Sequence, residues 1–227
     1  GIESNGWIID TTPYFYLNKS HLDTGEQHNS IAKNHHTFNM AKYYKQAFTN
    51  IPRLKEYDVV VWLDGTIEII HDKVSRYIMN HIYEDKIITW NHEHRNGNLH
   101  KEVLASHGER YTSLFWNNQC QPYQDVDYQY EFYKKNGYTD DFFKGIQPNN
   151  PNFGVWLTCF VAFLQKDKRV QDFLDEWYTQ TLVHTTQDQI SFPYVCQKIN
   201  MIPHTLPNAK VMGAYPHKKT MFYIKHF

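Results

Sequence analysis

Tyr57-Asp58-Val59-Val60-Val61-Trp62-Leu63-Asp64-Gly65-Thr66-Ile67-Glu68-Ile69-Ile70 is the stretch whose reading decides the fold. An apolar, β-branched run without polar alternation reads as a strand buried on both faces, as in the parallel sheet of an α/β protein. The run stops at an acid and a glycine, which puts Asp64 at the carboxyl end of the strand. In open α/β sheets ligands bind at that end, because the loops leaving the strands build the crevice there. Asp-Gly is also among the commonest turn pairs, so the same residues read equally as a turn with no further role. If the extended run continues, Asp64, Thr66 and Glu68 share one face, and Glu68 stays open as a second acid beside Asp64.

Downstream, Val74, Ile78, Met79 and Ile82 repeat at three and four and predict an amphipathic helix over Asp72 to Tyr83. Ile87-Ile88-Thr89-Trp90 is the next short strand, and it delivers the polar cluster Asn91-His92-Glu93-His94-Arg95, the same situation as at Asp64. Leu99 to Ser106 reads as a short helical turn. Asp125 to Asn136 reads as a helix with Val126, Gln129, Tyr130 and Tyr133 inward, stopped by Gly137. Gly154 to Leu164 is a second long apolar run, a core strand or strand pair. Val170, Phe173, Leu174 and Trp177 predict a helix from Asp167 to Gln180, and Thr185 or Thr186 caps a further one with Asp188 in its first turn. Upstream, Trp7-Ile8-Ile9-Asp10 is a short strand-like piece and Asn18 to Asn39 a polar loop. Met40, Tyr43, Tyr44, Ala47 and Phe48 then predict a helix over Asn39 to Asn50, with Lys42, Lys45 and Gln46 at its surface. Strands alternating with helices give an α/β sandwich around a mostly parallel sheet. The 227 residues fit a single domain, 1–227, with 201–227 a loop-rich wrap.

Lysine and arginine number 23 against 24 aspartates and glutamates, so no global basic field exists for nucleic acid or an anionic membrane. An anionic ligand must be held by a local site. Cys120, Cys159 and Cys196 are odd in number, widely spaced and without a CxxC pair, which argues against a disulfide framework and for a reducing, cytoplasmic setting. No apolar run approaches the roughly 20 residues of a transmembrane helix. The 14 histidines fit metal ligands, acid/base groups or a solvated surface. Aromatics at 16% fit sugar stacking, for which Trp90, Trp116 and Trp156 are candidates, or simply a core.

The chemistry-bearing residues fall into three groups. A divalent ion bound with a diphosphate prefers one or two carboxylates with water and phosphate oxygens, and manganese also accepts imidazole. Asp64 supplies the carboxylate, and His217, beside Lys218 and Lys219, supplies either an imidazole or only a surface histidine in a basic tail. His92, His94, Arg95, His100 and Glu102 form the densest ionisable cluster. It reads as an anion or sugar-hydroxyl site or as a solvated loop, and its spacing places no zinc tetrad. Asp188-Gln189 opens a helix, as a plain cap or as a group that orients or deprotonates a hydroxyl. The sequence contains no Gly-x-Ser-x-Gly elbow, no P-loop and no Gly-x-Gly-x-x-Gly, so hydrolase triads, nucleotide kinases and dinucleotide enzymes lose their signatures. A metal-dependent phosphoesterase remains a more distant reading of the histidines.

Taken in order, six blocks carry a resemblance: Ala41-Lys42-Tyr43-Tyr44-Lys45; Tyr57-Asp58 to Ile69; His92-x-x-Arg95 with Leu99-His100-Lys101-Glu102; Gln129-Tyr130-x-Phe132-Tyr133-x-x-x-Gly137; Asp175-Glu176-Trp177-Tyr178; and Thr186 to Phe192. Together, over Trp7 to Lys198, they resemble a glycosyltransferase-like family with plant mucilage-synthesis, bacterial and viral members. The resemblance implies a GT-A type, Rossmann-like sandwich that binds a nucleoside diphosphate sugar, UDP- or GDP-linked, through Mn2+ or Mg2+. It implies hexosyl or deoxyhexosyl transfer to a hydroxyl of a glycan or glycoprotein. It places Asp64, with Gly65 and Thr66, at the Asp-x-Asp metal position, where Thr66 stands in place of the second acid and His217 is the candidate late ligand. Lys42, Lys45, His92 and Arg95 become donor-binding candidates, and Asp188 and Gln189 catalytic ones. The family's Arg-Asp-Gln-x-Ser-Phe block reads here Gln187-Asp188-Gln189-Ile190-Ser191-Phe192, without the arginine. Family members begin with one more nucleotide-binding strand, which this chain is expected to lack. Without the second acid, a non-catalytic glycan-binding module on the same fold is the alternative.

Overall fold

The structure, a computed structural model, describes residues 41–108, 115–116, 119–120, 124–206 and 222–224. Helix α1, described over residues 41–46, leads into the deciding stretch. That stretch is not one strand but two: β1 (Val59–Leu63) and β2 (Ile67–Ile69), joined by a tight turn in which Ile67 N donates to Asp64 O at 2.9 Å. Then come α2 (Val74–Asp85), β3 (Ile87–Asn91), α3 (Leu99–Ala105), β4 (Phe115–Trp116), β5 (Gln119–Cys120), α4 (Val126–Lys135), α5 (Asp141–Ile146), β6 (Trp156–Leu164), α6 (Lys168–Val183), α7 (Asp188–Ile199), β7 (His204–Leu206) and β8 (Phe222–Ile224).

The central sheet has the order β1-β6-β3-β7. Two of its pairings are antiparallel, β1 with β6 and β6 with β3, and one is parallel, β3 with β7. This corrects the expectation of a mostly parallel sheet: β6 is inserted in the reverse sense between strands of like direction. Because β1 and β3 both oppose β6, and β7 follows β3, the carboxyl ends of β1, β3 and β7 lie along one edge of the sheet. Asp64 and His92 leave from that edge. A second correction concerns β1, whose residues are all half-buried and which pairs only with β6 among the described residues. An unbroken apolar run signals burial on both faces only for an inner strand; here β3 has that character, buried at all five positions.

Helices cover both faces. Ile78 and Ile82 of α2 pack on Ile88, Trp90, Phe160 and Ala162. On the opposite face Val103 of α3, Tyr133 of α4, Phe173 and Trp177 of α6 and Phe192 of α7 share one core with Ile87, Val161 and Phe163, and the Trp177 ring meets Phe163 directly. Adjacent residues of β3 and β6 thus feed different cores, as a pleated strand requires. The result is a mixed α/β sheet flanked by helices. The two long candidates for sugar stacking, Trp90 and Trp156, are fully buried within it and are core residues; the side chain of Trp116 lies outside the described residues.

Most predicted helices form near their expected bounds, each for a local reason. Asp125 caps α4 by accepting from Tyr128 N at 3.0 Å, and Asp167 caps α6 through Arg169 N at 2.9 Å. Gly137 follows α4 with φ +89°, the left-handed conformation that ends helices. At α1 the expectation fails: Lys45 is 3% exposed and Gln46 is fully buried, rather than both lying at the surface. Lys45 is enclosed by Trp62 of β1, Thr158 of β6, Trp177 of α6 and Asp188 of α7, so a polar side of α1 is buried as well as its apolar side.

Candidate functional site

The site begins with an irregularity in β6. Between β3 and β6 the register runs Ile88 opposite Ala162 and then Trp90 opposite Leu157, so two positions on β3 face five on β6. The extra backbone of Thr158, Cys159 and Phe160 bulges, and Thr89 repairs it by donating its hydroxyl to Leu157 O at 3.0 Å and Phe160 O at 2.9 Å. Bulges beside functional sites re-aim side chains. This one turns Thr158 toward α1 and α7 and sets Cys159 O to accept from Asp64 N at 2.8 Å.

Thr158 Oγ1 donates to Asp188 Oδ1 at 3.2 Å and accepts from Lys45 Nζ at 3.1 Å. The other carboxylate oxygen, Asp188 Oδ2, forms ion pairs with Lys45 at 2.7 Å and Lys42 at 3.1 Å. Trp177 Nε1 donates to the backbone oxygen of Asp188 at 2.9 Å and locks the start of α7 to α6. The ammonium group of Lys45 lies 5.8 Å from the Trp62 ring and 5.6 Å from the Trp177 ring, within range of cation–π attraction. Burial pushes the Asp188 carboxyl up, but Lys42 and Lys45 outweigh it and hold the group below the usual carboxylate range. Burial lowers the Lys42 ammonium, with Asp188 and Asp64 opposing.

From Thr158 the network continues outward. Gln189 Oε1 accepts from Thr158 N at 3.4 Å, and Gln189 Nε2 donates to Glu102 Oε1 at 2.6 Å. Glu102 stands in the first turn of α3, which Asn98 caps through Lys101 N, and Glu102 Oε2 accepts from Arg95 Nε at 2.5 Å and lies 3.5 Å from His92 Nε2. Burial, then Arg95 and His94, push the His92 imidazole down to about 4, so it is neutral at pH 7. Burial raises Glu102, with Arg95 and Gln189 opposing.

Lys42, Lys45, His92, Arg95, Asp188 and Gln189 are therefore joined at one edge of the sheet, although they are spread over 148 positions of sequence (Lys42 to Gln189). Asp64 flanks the network just past the end of β1: Trp62 Nε1 donates to Asp64 Oδ1 at 2.6 Å, and the Asp64 charge bears on both Lys42 and Cys159. Gly65 and Thr66 are exposed in the turn that follows, and Glu68 is in β2, paired with Tyr223 of β8. The turn read from Asp64-Gly65 exists, and its acid lies close enough to the network for its charge to act on Lys42. His217 lies outside the described residues. Sequence reasoning missed Thr158, whose place depends on the bulge, and gave Trp62 no part; Glu102 was in the right cluster without an assigned partner.

Asp64 is a half-buried carboxylate whose Oδ1 accepts from Trp62 Nε1, a single donor of the kind that holds a divalent ion only with further oxygens from elsewhere. Among the described residues, the side chains that come together as a protein-only metal group are elsewhere, at His81, Asp85 and His204. No helix among the described residues is long and apolar enough to cross a membrane. Set against protein-family models, curated proteins and solved structures, the chain matches none of them.

Proposed function

We propose that the chain is a metal-dependent glycosyltransferase of GT-A type, moving a hexosyl or deoxyhexosyl group from a UDP- or GDP-sugar to a hydroxyl of a glycan or glycoprotein. The observation that carries this reading is the buried Lys42–Lys45–Asp188–Thr158 cluster joined to Gln189, Glu102 and Arg95 at the carboxyl edge of the sheet, beside Asp64. The like direction of β1, β3 and β7, with β6 reversed between them, supports it, because ligands of open α/β sheets collect at that edge.

The charges suit a diphosphate. Two lysines against Asp188 leave one positive charge, Arg95 and Glu102 cancel, and Asp64 returns the site to neutrality. A divalent ion held by Asp64 would give this neutral site the net positive charge that a departing diphosphate requires. Bound Mn2+ or Mg2+ supplies neutralisation of that leaving group. Lys42, the more exposed of the two lysines, contacts the phosphates or the donor sugar, and Lys45 adds its charge from behind, with Asp188 fixing both ammonium groups in place. Gln189, anchored to Glu102, orients sugar hydroxyls, and Arg95 and His92 line the outer wall.

Asp188, held ionised by two cations, is a weak base, and His92 is weak for the same measure of basicity. The phosphate oxygen that leaves the anomeric carbon is then the group that takes the acceptor proton as the new glycosidic bond forms.

A non-catalytic glycan-binding module is the second reading, favoured by Thr66 where a second acid would stand. Thermal-shift titration of UDP- and GDP-sugars with and without Mn2+ separates the two, because a ligand specific to the native state raises the melting temperature. Transfer predicts a Mn2+-dependent rise with at least one donor, lost in Asp64→Asn. Absence of any donor shift, or undiminished donor affinity of Asp64→Asn in Mn2+, overturns the assignment.

A further inference from the structure

We propose that His81 and Asp85 of α2 and His204 of β7 form a zinc site that clamps this helix to the strand. His81 and Asp85 are four residues apart and therefore share one face of α2, a turn apart. His204 opens β7, in register with Ile88 near the start of β3. The alternation of β7 turns His204 to the same face as Leu206, which packs in the α2 core, while Thr205 turns to the other face and accepts from Trp156 Nε1. Helix and strand thus deliver the three side chains independently, and one ligand atom from each lies within 4.8 Å of the others.

The geometry near His204 is already close to coordination. His204 Nδ1 is 3.0 Å from Asp85 Oδ2, while tetrahedral zinc spaces its ligand atoms by roughly 3.3 Å. A metal would take the place of the proton shared by these two atoms. His204 Nε2 is 2.9 Å from the Tyr77 hydroxyl, so on metal binding its N–H donates to that oxygen. Such a hydrogen bond fixes the tautomer and ring orientation of a ligating histidine. The His81 ring stacks on His204 at 4.0 Å with 21° between planes. For both lone pairs to converge on one ion the stacked His81 ring would have to turn relative to His204.

Two imidazoles and one carboxylate are a borderline donor set that selects zinc over magnesium or calcium. All three residues are half-buried, so a fourth position opens to solvent for water. The cluster sits toward the amino ends of β3 and β7, whereas Asp64 and His92 leave the carboxyl ends of β1 and β3. The zinc site is therefore separate from the proposed transfer site and does not rest on that reading.

The test is calorimetric titration of the metal-stripped protein with ZnCl2, with melting curves and the visible spectrum of Co2+ substituted for zinc. Wild type is expected to bind Zn2+ with a rise of about 5–10 °C at a hundredfold excess over Kd, while Mg2+ gives none. His81→Asn and Asp85→Asn are each expected to lose one bound ion or at least tenfold in affinity, with the Co2+ band lost. In Asp85→Asn the side-chain carbonyl still accepts from His204, which keeps that variant folded. Asp64→Asn leaves zinc binding intact. Zinc binding of unchanged stoichiometry and affinity in both cluster variants, or no zinc binding by wild type, overturns the proposal.

Discussion

Lys45→Met tests the centre of the network most directly. Lys45 is 3% exposed and Asp188 is 5% exposed, and their ion pair at 2.7 Å is the shorter of the two that Asp188 makes. Methionine has a similar unbranched stem, so the substitution removes charge with little change in packed volume. Breaking a buried pair and leaving the partner uncompensated costs about 3–5 kcal/mol. Lys42 stays 3.1 Å from Asp188 and still offsets part of its charge, which puts the expected loss at the low end, about 3 kcal/mol. For a chain of this size that is roughly 6–12 °C in Tm. The linkage runs the same way. A carboxyl held below its unfolded pKa contributes stability above the unfolded value, and this is lost as pH falls through the folded value. Without Lys45 the folded value rises, so acid unfolding begins at higher pH. Urea denaturation of Lys45→Met, Asp188→Asn and the double variant measures the coupling, expected at about 2 kcal/mol. A Lys45→Met variant within about 0.5 kcal/mol of wild type, or strictly additive single variants, would refute the reasoning.

Two further perturbations read other parts of the site. His92 is neutral when folded, with its imidazole at about 4 against an ordinary 6.5, so between these values the unfolded chain binds more protons and stability falls as pH drops. That interval corresponds to at most about 3 kcal/mol; urea midpoints from neutral pH to about 4 should flatten in His92→Gln, and an unchanged slope would assign the acid sensitivity to other groups. Gly97→Ala should lose about 2–4 kcal/mol in the same assay. Its φ of +58° is left-handed, and an added Cβ would stand 2.3 Å from Phe153 O, where backbone must move; stability equal to wild type would show that the 92–98 loop is not pinned to the start of β6.

Apolar spacing made α2, α4 and α6 legible within a few residues, because each of these helices buries a single stripe, α2 against β3 and β6, α4 against α3 and α7, and α6 mainly against α7. The same logic failed at α1, whose Lys45 and Gln46 are buried, Lys45 against Thr158, Trp177 and Asp188 of other elements rather than anything in its own helix. It also failed for the direction of β6. An apolar nine-residue run looks the same whether it enters the sheet forwards or in reverse, and the pairing depends on connections that local pattern does not encode. Trp90 and Trp156 show the limit for function, since an aromatic after or within a strand serves stacking or core according to which face of the sheet is covered.

Local composition and order by themselves determined that strands and helices alternate, that no global basic field exists, and that acids, lysines and histidines recur where elements end. Read by themselves, the residues singled out Asp64, His92 and Arg95, which follow apolar strands, and Asp188-Gln189 at a helix start, because a charged group beside an apolar run stands out against the solvation cost of burying it; Lys42 and Lys45 entered only through the family resemblance. Which of these meet was decided only by tertiary structure. The reversed β6 and its bulge bring Thr158 between Lys45 and Asp188, and the parallel pairing of β3 with β7 brings His204 to His81 and Asp85. Both are consequences of register and strand direction, which follow from the cores on the two faces closing at once rather than from any single segment.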